Sequence, residues 1–180
     1  ILHGVLLNRW IQQPEGLNFN LWIAISTIAW LMAILSILPL GVAVIAKSWV
    51  RFGIFAISVL SIIVVSLWPL SPVWMNAKMP LISHIVFSLL AYSFLCLAAI
   101  QALLLSLQNR ALKLKQTSVV SVAFSMKLPA VENMEKMLMR LVMAGVLLLT
   151  LALLTGVLFI ENIFAQHLVH KIVFSSAAWL

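Results

Sequence analysis

Apolar runs of about 20 residues alternate with short polar connectors along this chain, which is the pattern of helices that cross a bilayer one after another. The clearest run is Pro80 to Arg110, PLISHIVFSLLAYSFLCLAAIQALLLSLQNR, with no charged side chain from Ile85 to Gln108. About 25 residues at about 1.5 Å each give roughly 37 Å, against a hydrocarbon core of about 30 Å. The same pattern predicts full spans at about 21–46, 53–70 and 139–160, with a further helix beginning at 172. Residues 1–7 read as the tail of an earlier helix. The expectation is an all-α polytopic transmembrane bundle, one domain over 1–180, with four full spans and partial helices at both ends. The chain reads as the middle part of a longer protein.

The connectors have individual signatures. Asn8 to Asn20, with Arg9, Pro14, Glu15 and Gly16, is a polar turn region. Pro39 is expected to kink the first span. Lys47 to Arg51 reads as a tight connector, and Trp68, Pro69, Pro72 and Trp74 mark an interface and a turn. Residues 109–138 form the longest polar segment, expected as a cytoplasmic loop. Its last part, VENMEKMLMRL from Val131, is amphipathic and is expected to lie along the membrane surface before turning in.

Composition fixes the class. Apolar residues make up 64% and charged residues 8% of the chain, outside the range of a soluble domain. The net charge of +7 is then a matter of topology, and no nucleic-acid partner is implied. Lys47, Arg51, Arg110, Lys113, Lys115, Lys127, Lys136 and Arg140 fall on one side of the spans, and only Arg9, Lys78 and Lys171 on the other. The first group is expected to face the cytoplasm. Cys96 stands alone in mid-span, so no internal disulfide is available, and it reads as a small packing residue.

Two faces are lined with small residues. His84, Ser88, Ala91, Leu95, Ala98 and Ala102 fall within about 40° of one line down the third span, which predicts that His84 turns into the bundle. Gly145, Ala152 and Gly156 fall within about 20° of one line on the fourth span and predict tight packing against the third. Tyr92 is expected to pack with its hydroxyl on a neighbouring helix.

The orientation places all four histidines, His3, His84, His167 and His170, at or near the outer face. An ionisable group there is a candidate ligand. The H-x-x-H pair His167 and His170 suits a transition metal only weakly, since Glu161 is the one carboxylate nearby. The chain has no Asp, no Gly-rich phosphate loop and no nucleophile–base–acid set, which argues against hydrolase chemistry and an independent catalytic site. A haem site fits the inventory better, because it needs imidazoles in an apolar slot and a positive group for the propionates. His84 is one candidate axial ligand; His3, His167 or His170 is the other; Arg9, Lys78 or Lys171 would meet the propionates. A bound metal ion, or histidines that only pack, remain the alternatives.

The stretch SHIVFSLLAYSFLCLAAIQALLL, with His84 at its head and the pair Ala91–Tyr92, resembles a helix of the cytochrome c assembly (haem-handling, CcsA-like) membrane proteins. PAVENMEKMLMRLVMAGVLLLTLALLTGVLFIEN resembles that family's amphipathic stretch leading into an apolar helix that ends in Ser/Thr-Gly, here Thr155–Gly156. The Trp-rich signature of the haem-exporting members is missing: AQHLVHKI stands at about 165–172, and only Lys171 and Trp179 agree. The chain is therefore similar to the short, YpjD-like branch. The resemblance implies haem handling for cytochrome c biogenesis at the outer face of a bacterial inner membrane. His84, then His3, then His170 would be the haem ligands, with apocytochrome c or other maturation proteins as partners.

Overall fold

A computed structural model describes residues 2–14, 16–37, 48–68, 72, 74–75, 79–113 and 130–159. Five helices carry these residues: α1 (Leu2–Ile11), α2 (Leu21–Ile37), α3 (Ser48–Leu67), α4 (Met79–Lys113) and α5 (Val131–Phe159). Three of them, α3, α4 and α5, are long and apolar enough to cross a membrane, and α2 is a shorter apolar helix within the described residues. The protein is an all-α membrane bundle. The expected continuation of the first span, with its kink at Pro39, and the fifth span from 172 lie outside the described residues.

Local chemistry sets the helix boundaries. Asn20 caps α2: its side-chain oxygen accepts from the Ile23 amide at 3.0 Å and its carbonyl from the Ala24 amide at 3.0 Å. Ser48 to Arg51, expected as a connector, are instead the first turn of α3. The expected surface-lying segment from Val131 is likewise the start of one continuous helix. Its apolar side is taken up by the bundle rather than by the membrane interface: Met134 and Leu141 are 1% and 0% exposed. Its polar side carries a Glu132–Lys136 pair at the i, i+4 spacing, exposed to solvent.

A small antiparallel sheet in the connectors was not anticipated. Strands β1 (Gln12–Gln13), β2 (Gly16–Asn18) and β3 (Trp74–Met75) pair in that order, with Leu17 opposite both Gln12 and Met75. Gly16 adopts φ 133°, a conformation open to a residue without Cβ. The sheet ties the α1–α2 connector to the α3–α4 connector, so both lie at one end of the bundle, here termed the sheet end. The other end carries Arg110, Lys113, Lys136 and Arg140 and is termed the basic end.

At 35 residues α4 is about 52 Å long, and α5 at 29 residues is about 43 Å, so both exceed a hydrocarbon core of about 30 Å. They form the most extensive helix–helix contact of the described residues. The packed core lies toward the basic end, where Met32 and Ala33 of α2, Val50 and Ile54 of α3, Leu97, Ala98, Leu104 and Leu105 of α4, and Met134 and Leu141 of α5 cluster. Outward, Phe52, Leu60, Leu103, Leu147 and Leu154 expose large apolar surfaces that suit lipid.

Both predicted small-residue faces meet. Ala91 and Ala98 are buried on α4, Ala152 on α5, and a Cβ added at Gly145 would lie 2.7 Å from Leu95 Cδ2 and 2.8 Å from its Cγ. α1 is fitted in the same way, since a Cβ at Gly4 would lie 2.7 Å from the Trp30 ring of α2. Tyr92, expected to pack, is 46% exposed and faces outward. Gly145→Leu is expected to destabilise the protein by about 1–3 kcal/mol through overpacking, measured as unfolding in mixed detergent. The addition of Leu95→Ala should recover most of that loss, because the two positions share one contact.

Candidate functional site

His84 lies in the α4–α5 seam, about a turn and a half from the sheet end of α4. Its Nδ1 is 2.8 Å from the main-chain oxygen of Ala152 on α5. A carbonyl oxygen can only accept, so Nδ1 carries a proton and donates it. In the neutral ring the lone pair is then on Nε2, which is the tautomer of a metal-ligating histidine oriented by a backbone carbonyl. Gly156 makes room for the ring: a Cβ there would lie 3.1 Å from both Nδ1 and Cε1 of His84. The Thr155 hydroxyl donates to the Leu151 carbonyl at 2.8 Å, and it lies 3.0 Å from the Ala152 oxygen that His84 also uses. The Thr155–Gly156 pair thus forms the wall of the histidine socket.

His3 is held differently. Its Nδ1 meets Ser58 Oγ of α3 at 2.8 Å and its Nε2 meets Ser26 Oγ of α2 at 3.0 Å. Ser26 Oγ is in turn 3.1 Å from Ser61 Oγ, and the Ser61 hydroxyl donates to the Ser58 carbonyl at 2.7 Å. Hydroxyls both donate and accept, so this cluster fixes the ring position without fixing its tautomer. Ser26 lies about 8 Å along α2 from the sheet end and Ser58 about 14 Å along α3, so His3 is set within the bundle rather than at its rim. A cavity of about 190 Å³, lined by Trp22, Ile25, Ile57, Leu60, Ser61 and Val64, opens between α2 and α3 beside the cluster.

The structure therefore places His84 and His3 on separate helix groups, α4–α5 and α1–α2–α3. His167, His170, Lys78 and Lys171 lie outside the described residues, and Arg9 is exposed on α1. Among the described residues no group of three His, Cys, Asp or Glu side chains is placed to hold a metal ion. Serines 26, 58 and 61 were missed by sequence reasoning. Their signal was present as hydroxyl residues inside otherwise apolar spans, with Ser58 and Ser61 one turn apart on one face.

The model of the family described as "Cytochrome C assembly protein" matches residues 2–180. The chain belongs to the cytochrome c assembly protein family. Among curated relatives, the "Inner membrane protein YpjD" of Escherichia coli strain K12 is 33% identical over 105 residues, and its counterparts in strains O6:H1 and O157:H7 match equally. The matched stretch covers 58% of this chain and 38% of the relative's length. No solved structure matches the chain. Membership in the cytochrome c assembly family agrees with the expectation raised by the His84 and Thr155–Gly156 segments.

In this family member the serine cluster is expected to be structural. Ser26→Ala should cost about 1–3 kcal/mol, because it strips a buried partner from both His3 and Ser61. Comparing the unfolding of this variant with that of Ser66→Ala, whose hydroxyl bonds only its own helix at an exposed position, checks the assignment. Ser66→Ala should be close to neutral.

Proposed function

We propose that this chain is the haem-holding part of a bacterial inner-membrane protein of cytochrome c biogenesis. The sheet end faces the periplasm and the basic end the cytoplasm, as the Lys and Arg distribution favours. Nε2 of His84 would hold the haem iron. The observation that carries this reading is the 2.8 Å bond from Nδ1 to the Ala152 carbonyl, which orients the ring and leaves Nε2 as the acceptor. Bound haem would offer its iron to that nitrogen; the chain contributes the position and orientation of the ring rather than a catalytic group of its own. His3 is the next candidate ligand, but one of its two serine bonds must first give way. His170 is the third, and Arg9 is a cation available to propionates. Haem would come from another maturation protein and would pass to an apocytochrome c or a further maturation protein.

The double engagement of His3 favours a second reading, in which the histidines are structural and the protein is an accessory or transport-related one, with a bound metal ion or no ligand. Haem titration of the purified full-length protein, with metal analysis beside it, separates the two. His84→Ala is expected to abolish most of the Soret absorbance. Gly156→Val, which crowds the ring, should weaken haem retention by about ten-fold. An unchanged Soret band in His84→Ala overturns the ligand assignment.

A further inference from the structure

At the basic end, beside the α4–α5 seam, a cleft of about 400 Å³ is lined by Ala102, Leu105, Ser106, Asn109, Arg110 and Lys113 of α4 and by Leu138 of α5. We propose that this cleft binds an anionic phospholipid, with the headgroup phosphate held by Arg110 and Lys113.

The lining is sorted by depth. Counted from Ile85, a hydrocarbon core of about 30 Å is crossed in about 20 residues, which places Leu105 near its edge. Ala102, Leu105 and Leu138 then form an apolar floor at the level of acyl chains. Ser106, Asn109, Arg110 and Lys113 follow over the next turns, in the headgroup layer. Residues 102, 106, 109 and 113 share one helix face, so the hydroxyl, the amide and the Lys113 ammonium are stacked above the floor, with Arg110 at the flank. Helix side chains lean toward the N-terminus of their helix, which for α4 is toward the bilayer. The two cations accordingly reach back to phosphate depth and do not extend into the aqueous phase.

The charges agree. No described residue forms an ion pair with Arg110 or Lys113, whereas Lys136 of α5 is taken by Glu132. Basic clefts between helices on the cytoplasmic side suit anionic headgroups, and each cation near the surface adds about five-fold in affinity.

Native mass spectrometry of the full-length protein, purified in detergent with equal phosphatidylethanolamine and phosphatidylglycerol, tests this. Phosphatidylglycerol should be retained preferentially. Arg110→Gln or Lys113→Gln should reduce its retention about five-fold, and the double variant about 25-fold. Ser106→Leu, which fills the cleft without altering charge, should also displace the lipid and keeps the test open if the double variant does not fold. Lys136→Gln should leave retention unchanged, and millimolar glycerol phosphate should not compete. Unaltered retention in the double variant, equal loss in Lys136→Gln, or displacement by soluble glycerol phosphate would each overturn the proposal, the last by showing a free phosphate ester as the ligand.

Discussion

Small side chains at Ala91, Gly145, Ala152 and Gly156 let α4 and α5 come close enough for an imidazole of one helix to reach a main-chain oxygen of the other. In lipid there is no hydrophobic force to drive helices together, so close van der Waals packing and hydrogen bonds across the seam carry the association. Each reinforces the other here. A side chain at 156 would crowd the ring, and without the close approach at Gly145 the Ala152 carbonyl lies out of reach. A second bond of the same type, Gln101 Nε2 to the Met134 carbonyl at 3.4 Å, spans the seam toward its basic end. Side chains of α4 thus grip the backbone of α5 at two points, with Leu95 seated over Gly145 between them.

The bundle is divided along its length. Toward the basic end the four longer helices share an apolar core centred on Leu97, Met134 and Leu141. Toward the sheet end, polar groups take over the helix contacts: His84 in one seam, and His3 with Ser26, Ser58 and Ser61 in the other. A buried polar group in hydrocarbon costs several kcal/mol when unsatisfied, and each of these has a partner inside the protein. The sheet-end half of the bundle is therefore the half that holds the two imidazoles in place.

Much of this was legible in the sequence. Hydropathy gave the spans of α3, α4 and α5, because an uncharged run as long as Ile85 to Gln108 has few other solutions. The two small-residue faces identified the α4–α5 seam and turned His84 inward. The bond acceptor was not legible, since it is a backbone oxygen and any residue at 152 carries one. The sheet escaped because strands of two or three residues are too short to show a period-two pattern. The amphipathic start of α5 was misplaced for a physical reason: an apolar face predicts burial but does not say whether lipid headgroups or a neighbouring helix will cover it. The role of His3 was half legible. Its place among the outer-face histidines marked it as a ligand candidate, but only the fold shows that two helices have already supplied serines to both ring nitrogens.

The ligand assignment depends most on the state of one ring. ¹⁵N NMR of the full-length protein labelled at histidine, prepared without haem, reads the tautomer of His84 directly by difference from His84→Ala. The bond to the Ala152 carbonyl predicts a ring protonated at Nδ1, with an unprotonated Nε2. A His84 ring protonated at Nε2 alone would contradict it, because that nitrogen would have no lone pair to offer iron and Nδ1 would have no proton to give Ala152.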